Sequence, residues 1–329
     1  MSFRAFVVDL QDDNFSAGVQ SLEETDLPQG DVTITVQWSS VNYKDGLATL
    51  PKGRVVTSYP MVPGIDLAGT VRESNDAHFQ AGQPVLVTGY DLGIGHFGGF
   101  AELARVPGDW IVPLPDGLSL EETMALGTAG FTAGLSVQAL QHGGVTPDSG
   151  PVLVTGATGG VGSTAVAMLA QLGYTVAAST GKADEHDYLR ALGASEILTR
   201  EEVSEENKRP IEKERWAGAV DPVGGTTTAY ILRTLKRDGV SALSGLTGGA
   251  GLSTTVMPFI LRGASLAGIE SVYCPMDLRT QIWRHLGSDW KPNALLDSIA
   301  VHTDLDGVAA AAASILQGGV RGRTLVQIN

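Results

Sequence analysis

Alternation of apolar and polar positions is the first pattern along this chain. In VTITVQW, Val32, Ile34, Val36 and Trp38 alternate with Thr33, Thr35 and Gln37, the period of a half-buried strand. Short runs at 3–9, 69–74, 84–90 and 100–106, cut by Gly and Pro turns, predict further strands and with them a small barrel or sandwich. From about residue 120 the period lengthens. LSLEETMALGTAGFTAGLSVQAL has helical spacing, with Ser119 as N-cap and Glu122 three residues on. Six β-rich runs then alternate with helical stretches: PVLVTGA, YTVAAST, SEIL, WAGAVDPVG, DGVSALSGL and ASLAGIES. That alternation predicts a parallel, doubly wound sheet, and an α/β fold for the second part of the chain. The charged segment Glu201–Arg215 reads as a solvated helix or loop with no site. An Ala-rich helix, LDGVAAAAASIL, precedes a last strand, GRTLVQIN.

A chain of 329 residues is too long for one ordinary core, so two domains are expected. With 43% hydrophobic and 18% charged residues, the composition is globular. The formal net charge of −14 argues against nucleic-acid binding, which needs a basic face to displace counterions. A local basic pocket for an anionic cofactor is compatible with that charge, and the acidity otherwise reads as solubility. The single cysteine, Cys274, excludes an internal disulfide and a cysteine-cluster metal site. The apolar stretch in MSFRAFVVDLQDD is too short for a signal peptide, and no run approaches the roughly 18 residues of a membrane span. A cytoplasmic protein with no membrane partner is expected.

The segment VLVTGATGGVGSTAVAMLAQLG sets Gly156, Gly159 and Gly162 after a strand and at the start of a helix, with another strand about twenty residues on. Such glycines allow a tight turn, close approach of backbone to a pyrophosphate, and close helix–sheet packing. The helix start adds unbonded N–H donors and the positive end of the dipole. The turn from Gly156 through Thr158, Gly159, Gly160, Val161 and Gly162 is therefore the candidate dinucleotide cradle. In NAD binders an acid at the end of the next strand accepts from the ribose 2′-hydroxyl. Here that end reads Ser179-Thr180-Gly181-Lys182, with no acid before Asp184. Two hydroxyls and an ammonium suit a 2′-phosphate, and Arg200 after the third strand adds a second cation. NADPH (or NADP) is expected over NADH.

At the end of the alternating strand stand Asn42, Tyr43, Lys44 and Asp45: an amide, a phenol, an ammonium and a carboxylate together. Asn, Lys and Asp are common turn formers and Tyr43 can simply pack, so a polar turn and a site both stay open.

Longer stretches carry a resemblance. YPMVPGIDLAGTV (59–71), LGTAGFTA (126–133), VTGATGGVGSTA (154–165) and VDPVGG (220–225) resemble the medium-chain dehydrogenase/reductase superfamily over essentially the whole chain, in its quinone-oxidoreductase-like branch. WSSVNYKD, GTAGFTA, WAGAVD, TTVMPFILRG and GRTLV are similar to the bacterial acrylyl-CoA reductases. The resemblance implies a GroES-like β-rich catalytic domain over 1–122, completed by 295–329, and a Rossmann NADP-binding domain over 123–294. Zinc-dependent members carry a cysteine where this chain has Asn42-Tyr43-Lys44-Asp45, and Gly-His-Glu where it has Gly64-Ile65-Asp66. A catalytic zinc takes three protein ligands of the Cys, His or carboxylate type. With both motifs replaced, the four-cysteine structural lobe missing and Cys274 far off in sequence, the metal-free branch is expected.

The implied reaction adds hydride to the β-carbon of an alkene conjugated to a carbonyl. The enolate formed must be stabilised at oxygen and protonated at the α-carbon. The family fold brings the quartet towards the nicotinamide. Asn42 would donate to a carbonyl or to the nicotinamide amide, Tyr43 (a phenol with pKa about 10) is the candidate proton donor, Lys44 would favour phenolate or an anionic substrate, and Asp45 would orient either or act as a structural hub. Leu246, Ile260 and Ser271 are expected to edge the nicotinamide, and Arg323 to lie by its phosphates or ribose. Tyr90, His96 and Phe97 on a Gly-rich loop are candidates for the substrate mouth, and Lys52 and Arg54 for CoA phosphates. Cys274 is expected to be a bystander. The reading is NADPH-dependent reduction of acrylyl-CoA to propionyl-CoA. An NADPH:quinone reductase and a non-enzymatic NADPH-binding protein are the alternatives. The glycine-punctuated run ASLAGIES is an edge that in relatives pairs across a two-fold axis, so a homodimer is expected by analogy.

Overall fold

A computed structural model describes residues 1–205, 207, 209–293 and 295–328. In chain order the elements are β1 (Ser2–Gln11), β2 (Asn14–Glu23), β3 (Val32–Val41), α1 (Tyr43–Ala48), β4 (Asp66–Ser74), β5 (Pro84–Thr88), β6 (Leu103–Val106), β7 (Val112–Pro113) and α2 (Leu120–His142). Then follow β8 (Val152–Val154), α3 (Gly160–Gln171), β9 (Val176–Thr180), α4 (His186–Ala191), β10 (Glu196–Thr199), β11 (Trp216–Asp221), α5 (Gly225–Thr234), β12 (Leu235–Leu243), α6 (Met257–Arg262) and β13 (Ser265–Gly268). The chain ends with α7 (Met276–Leu286), α8 (Leu295–Ile299), β14 (Ala300–Asp304), α9 (Val308–Leu316) and β15 (Arg323–Gln327). It divides into two compact units, one of Met1–Thr128, Val272–Ser288 and Leu295–Asn329, the other of Ala129–Ser271 and Asp289–Ala294.

The first unit is β-rich. β1 and β2 form an antiparallel hairpin, and a larger sheet runs β14-β15-β3-β4-β5-β7, with β6 also on β3. Val32, Ile34 and Val36 of β3 are buried with Leu67, Val71, Val85 and Val87 in one cluster. Each such side chain stabilises by about 1.5–3 kcal/mol relative to exposure. The alternation breaks at Trp38, which is only partly buried. There β3 slips one residue against β4, with Val36 opposite Gly69 but Trp38 opposite Ala68. Such a bulge bends the strand and interrupts its alternation, and beyond it the adjacent Ser39 and Ser40 are both fully buried. Residues 272–288, read with the Rossmann region from sequence, fall in this unit. Arg279 of α7 is fully buried and donates to Thr88 O at 2.8 Å, and Tyr90 N–H donates to Val272 O at 3.0 Å.

The second unit is a parallel sheet in the order β10-β9-β8-β11-β12-β13. Each strand overlaps one of the six predicted runs, with β12 starting earlier, at Leu235, and β10 ending one residue later, at Thr199. The central strands β8, β9 and β11 are buried throughout and read as near-continuous apolar stretches, whereas the edge strands β10 and β13 are partly exposed. The strand order reverses between β8 and β11, and at such a switch the carboxyl ends of the strands form a ligand crevice. The segment 201–215 is not simply solvated (Glu206 and Lys208 lie outside the described residues). Buried Arg233 donates to Glu212 Oε1 at 2.9 Å and to Glu205 O at 2.6 Å, and buried Arg262 donates to the carbonyl oxygens of Arg233, Leu235 and Glu212. Two arginines thus fasten a loop whose own composition is polar.

Ser119 and Glu122 exchange bonds ahead of α2: Glu122 N–H donates to Ser119 Oγ at 3.1 Å and Ser119 N–H to Glu122 Oε2 at 2.9 Å. That is the reciprocal capping the sequence predicts. Inside α2, Gly127 leaves helical geometry, with φ +53°. Among the described residues no helix is long and apolar enough to cross a membrane.

Candidate active site

Where β3 ends, four polar side chains from distant parts of the first unit meet. Asn42 caps α1, and Asp45 in its first turn accepts the Asn42 N–H at 2.7 Å. The other Asp45 oxygen accepts the N–H groups of Ile65 at 2.9 Å and Gly64 at 3.2 Å, which ties α1 to the loop before β4. Asp66, first residue of β4, accepts from Ser40 Oγ at 2.7 Å, Asn42 Nδ2 at 2.7 Å, and Thr128 through N–H at 3.0 Å and Oγ1 at 2.5 Å. Arg323 from β15 donates to Asn42 Oδ1 at 3.0 Å, Ser40 Oγ at 2.7 Å and Val41 O at 3.3 Å, and pairs with Asp66 at 3.4 Å. Asp45 and Asp66 are 0% exposed and Arg323 2%. Burial, and then the charge of Asp66, push the Asp45 carboxyl up to about 7, against the Asn42 and Ile65 amides that favour its ionised form. Burial pulls Arg323 down while Asp66 and Asp45 hold it charged.

The sequence quartet therefore splits in two. Asn42 and Asp45 face inward and their polar atoms are spent on the network. Tyr43 is 48% exposed, and its hydroxyl has no hydrogen-bond partner among the described residues. Lys44 is partly buried beside it. Of the four, only Tyr43 and Lys44 carry polar groups left for a ligand. Arg323, expected by the cofactor's phosphates or ribose, instead has both terminal guanidinium nitrogens occupied by Ser40, Val41, Asn42 and Asp66. The sequence reading missed Ser40, Asp66 as a hub, and Thr128. The one signal for Asp66 was a carboxylate inside the apolar stretch IDLAG.

The cradle lies in the second unit, at the carboxyl end of β8. Gly156 has φ +52°, and a Cβ at Gly162 would collide with the Gly156 carbonyl, so turn and helix touch only because both residues lack side chains. α3 begins with Gly159 as N-cap and no side-chain cap bond, which leaves the first-turn N–H groups of Gly160, Val161 and Gly162 for an anion. Thr158 is buried, 3.4 Å from Thr180 through their hydroxyls. At the end of β9, Ser179 donates to Thr199 O at 3.2 Å and Lys182 N–H to Thr180 Oγ1 at 3.1 Å. The exposed Arg200 lays its guanidinium over Gly181, where a Cβ would stand 3.1 Å from Nη2. Glycine-lined turn, open helix start and an acid-free strand end fit a dinucleotide with a 2′-phosphate.

Leu246 and Ile260 are 65% and 71% exposed, and Ser271 is partly buried. Tyr90 stacks on Trp110, with centroids 5.3 Å apart at 2°, and the Arg279 guanidinium lies 4.6 Å from its centroid. His96 meets the Trp110 edge and its Nε2 lies 3.1 Å from Gln29 O, and Phe97 packs on the core around Phe6 and Phe100. Those three side chains are held by residues outside their loop, Trp110, Arg279, Gln29 and the Phe6–Phe100 core. Lys52 and Arg54 are exposed, and Cys274 is buried.

A zinc ion does not fit the positions where zinc-dependent members would hold it. Asn42 is bonded at both ends of its amide, Ile65 is apolar and buried, and the Asp66 oxygens are taken by four residues. Among the described residues no group of three or more His, Cys, Asp or Glu is placed to hold a metal.

Comparison with known proteins agrees with this architecture. The family model for the alcohol dehydrogenase GroES-like domain matches residues 28–116, and that for the zinc-binding dehydrogenase matches residues 160–286. The acrylyl-CoA reductase AcuI of Ruegeria pomeroyi is 50% identical over 331 residues, 99% of each chain. The putative quinone oxidoreductase YhfP of Bacillus subtilis is 49% identical over 326 residues, 99% of each chain, and its crystal structure with NAD bound superposes with a TM-score of 0.97. The yhdH oxidoreductase of Salmonella enterica in complex with NADP is 50% identical, covers 99% of this chain and 100% of its own, and gives a TM-score of 0.96. With a GroES-like unit, a Rossmann unit and metal-ligand positions given over to Asn42 and Ile65, the chain belongs to the zinc-free, quinone-oxidoreductase-like branch of the medium-chain dehydrogenase/reductase family, alongside bacterial acrylyl-CoA reductases.

Proposed function

We propose that the protein uses NADPH to reduce the carbon–carbon double bond of acrylyl-CoA, giving propionyl-CoA. The observation that carries the reading is the acid-free end of β9, with Arg200 across Gly181, in a chain half identical along its full length to a protein named an acrylyl-CoA reductase. The first-turn amides of α3 would hold the pyrophosphate. Thr180, Lys182 and Arg200 would hold the 2′-phosphate, with Ser179 behind them, and Leu246, Ile260 and Ser271 would edge the nicotinamide. NADPH, when bound, supplies the hydride for the β-carbon. In this reading Tyr43 protonates the α-carbon, and Lys44 lowers the cost of the phenolate left behind. Asn42, Asp45, Asp66 and Arg323 hold the start of α1, and hence Tyr43, in place. Lys52 and Arg54, both exposed, are candidates for the CoA phosphates.

A quinone acceptor is the second reading, favoured by the name of the YhfP relative, whose NAD complex also speaks for the unphosphorylated cofactor. Both readings meet in one optical assay of NADPH oxidation with acrylyl-CoA, crotonyl-CoA and a simple quinone in parallel, and NADH as control. Acrylyl-CoA turning over far faster than the quinone, and with NADPH only, is the expected result. A faster quinone overturns the substrate, and equal use of NADH overturns the 2′-phosphate site. Tight NADPH binding without turnover of any acceptor overturns enzymatic function.

The active form proposed is a cytoplasmic homodimer. The open edge strand β13 lies next in sequence to an exposed apolar run that includes Val256, Met257 and Leu261, a surface a second copy would cover. Light scattering that returned the mass of one chain at assay concentration would rule the dimer out.

A further inference from the structure

The last residue of β11, Asp221, is 0% exposed and has no part in the reaction as described. Its Oδ1 accepts three donors: Thr155 Oγ1 at 2.6 Å, Val223 N–H at 3.0 Å and Gly224 N–H at 3.2 Å. Its Oδ2 accepts Thr228 Oγ1 at 2.5 Å, at the first turn of α5. Four donors converging on one side chain need a carboxylate, since an amide offers one oxygen only.

Three of these donors touch two parts of the dinucleotide site. Thr155 immediately precedes Gly156, so its hydroxyl fixes the point where β8 enters the phosphate turn. The Val223 side chain lies against that turn, for a Cβ on Gly156 would stand 3.1 Å from Val223 Cγ2. From the other side, Gly248 N–H donates to Val223 O at 2.7 Å, Gly224 bridges to Gly249, and Ser244 N–H donates to Asp221 O at 3.0 Å. The loop 245–249 carries Leu246, the residue expected at the nicotinamide edge. One buried carboxylate therefore reaches the pyrophosphate turn through Thr155, and the nicotinamide-side loop through residues 223–224.

We propose that Asp221 is the positioning residue of the cofactor site, joining the Gly156 turn and the 245–249 loop into one body so that pyrophosphate and nicotinamide are bound at a fixed separation. The assignment rests on the NADPH reading above. It differs from a general structural role in one respect: its loss weakens ligands that span both parts and spares a ligand that uses neither.

The test titrates the full-length chain with NADPH by calorimetry, and with 2′-AMP by ligand-observed NMR. 2′-AMP carries the 2′-phosphate but neither pyrophosphate nor nicotinamide. Thr155→Val removes the hydroxyl at constant shape, and Thr155→Ser restores it. Thr155→Val is expected to weaken NADPH about tenfold, Thr155→Ser to bind it as wild type does, and 2′-AMP to bind all three alike. Should Thr155→Val fail to fold, Thr155→Ala, which also removes the hydroxyl and leaves Asp221 in place, carries the same comparison with a loss for NADPH alone. Unchanged NADPH affinity in Thr155→Val overturns the assignment. So does an equal proportional loss for both ligands, which marks general loosening. Either of those results leaves the cofactor reading standing, whereas a wild-type chain that does not bind NADPH overturns the cofactor reading and the assignment with it.

Discussion

Arg323 and Asp66 stand 3.4 Å apart with side chains 2% and 0% exposed, an ion pair wholly inside the first unit. A buried pair of this kind stabilises little relative to apolar substitutes, but losing one partner strands a charge. Arg323→Met is therefore expected to cost about 3–5 kcal/mol, measured by urea unfolding against wild type. A variant of unchanged stability with weakened NADPH binding would instead return Arg323 to the phosphate role its sequence position suggested.

Gly127 is the point where α2 passes this pair. A Cβ there would lie 2.5 Å from both Arg323 Nη2 and Asp66 Oδ2, at a backbone φ of +53°. Gly127→Ala combines left-handed strain with a clash against two buried charges. A loss of about 2 kcal/mol or more is expected, read as a lowered Tm. A Tm within a degree of wild type would mean that α2 can move without disturbing the network.

The parallel sheet is legible because its central strands β8, β9 and β11, buried throughout, spell mostly apolar runs, and glycines mark where β8 turns into α3. The partly exposed β10 and β13 follow from their place in the alternation with helices. Strand β2 escaped notice since most of NFSAGVQSLE is exposed and its one partner is β1. β14 at the sheet edge escaped for the same reason. Trp38 is expected to be buried with Val32, Ile34 and Val36 but is only partly so, because a one-residue slip between paired strands leaves no mark in the alternation before it. The Asp66 hub was invisible in a different way. Its partners lie 24, 26, 62 and 257 residues away, so no local spacing relates them. Arg323 shows the cost of that blindness: on sequence it is a returning cation free for a phosphate, and only the fold reveals two carboxylates waiting for it.

Asp45 gives stability a pH signature. Its carboxyl is raised from an ordinary 3.8 to about 7 in the folded chain, chiefly by burial. Between those values the folded state holds a proton that the unfolded state has released, so this group's contribution to stability is fully present below pH about 4 and is lost as pH rises through about 7. Asp45→Asn removes the titration and also one acceptor for the Asn42 N–H. The stability difference, wild type minus Asp45→Asn, should shrink steadily from pH 5 to pH 8 in urea melts. A difference independent of pH would show that the three amides keep Asp45 ionised throughout.

Cofactor choice should separate cleanly from cofactor binding. Arg200→Ala and Lys182→Ala each remove a cation from the end of β9 and leave the α3 amides intact. About a tenfold weaker Kd for NADPH is expected from each, from loss of a charge-assisted bond, with NADH affinity within about twofold of wild type. Parallel losses for both cofactors would mean that these cations stabilise the strand end and do not read the 2′-phosphate.

Tyr43→Phe tests the chemistry itself. The phenol is exposed and carries no structural bond among the described residues, so its removal should leave Tm and NADPH affinity unchanged. Proton donation by a positioned acid contributes about 10²- to 10⁴-fold, and a fall of that order in kcat with acrylyl-CoA is expected. Two further readouts separate the proton donor from a residue that merely packs on the substrate. In wild type, deuterated solvent should slow turnover if protonation limits it, and that sensitivity should change when the donor becomes water. KM should move little, because a hydroxyl lost from the transition state alone lowers kcat and kcat/KM together. If Tyr43→Phe raises KM and keeps kcat, the phenol orients the thioester and the proton comes from elsewhere. With Asn42 and Asp45 bonded inward, Lys44 is then the remaining donor of the quartet, and Lys44→Met becomes the decisive variant.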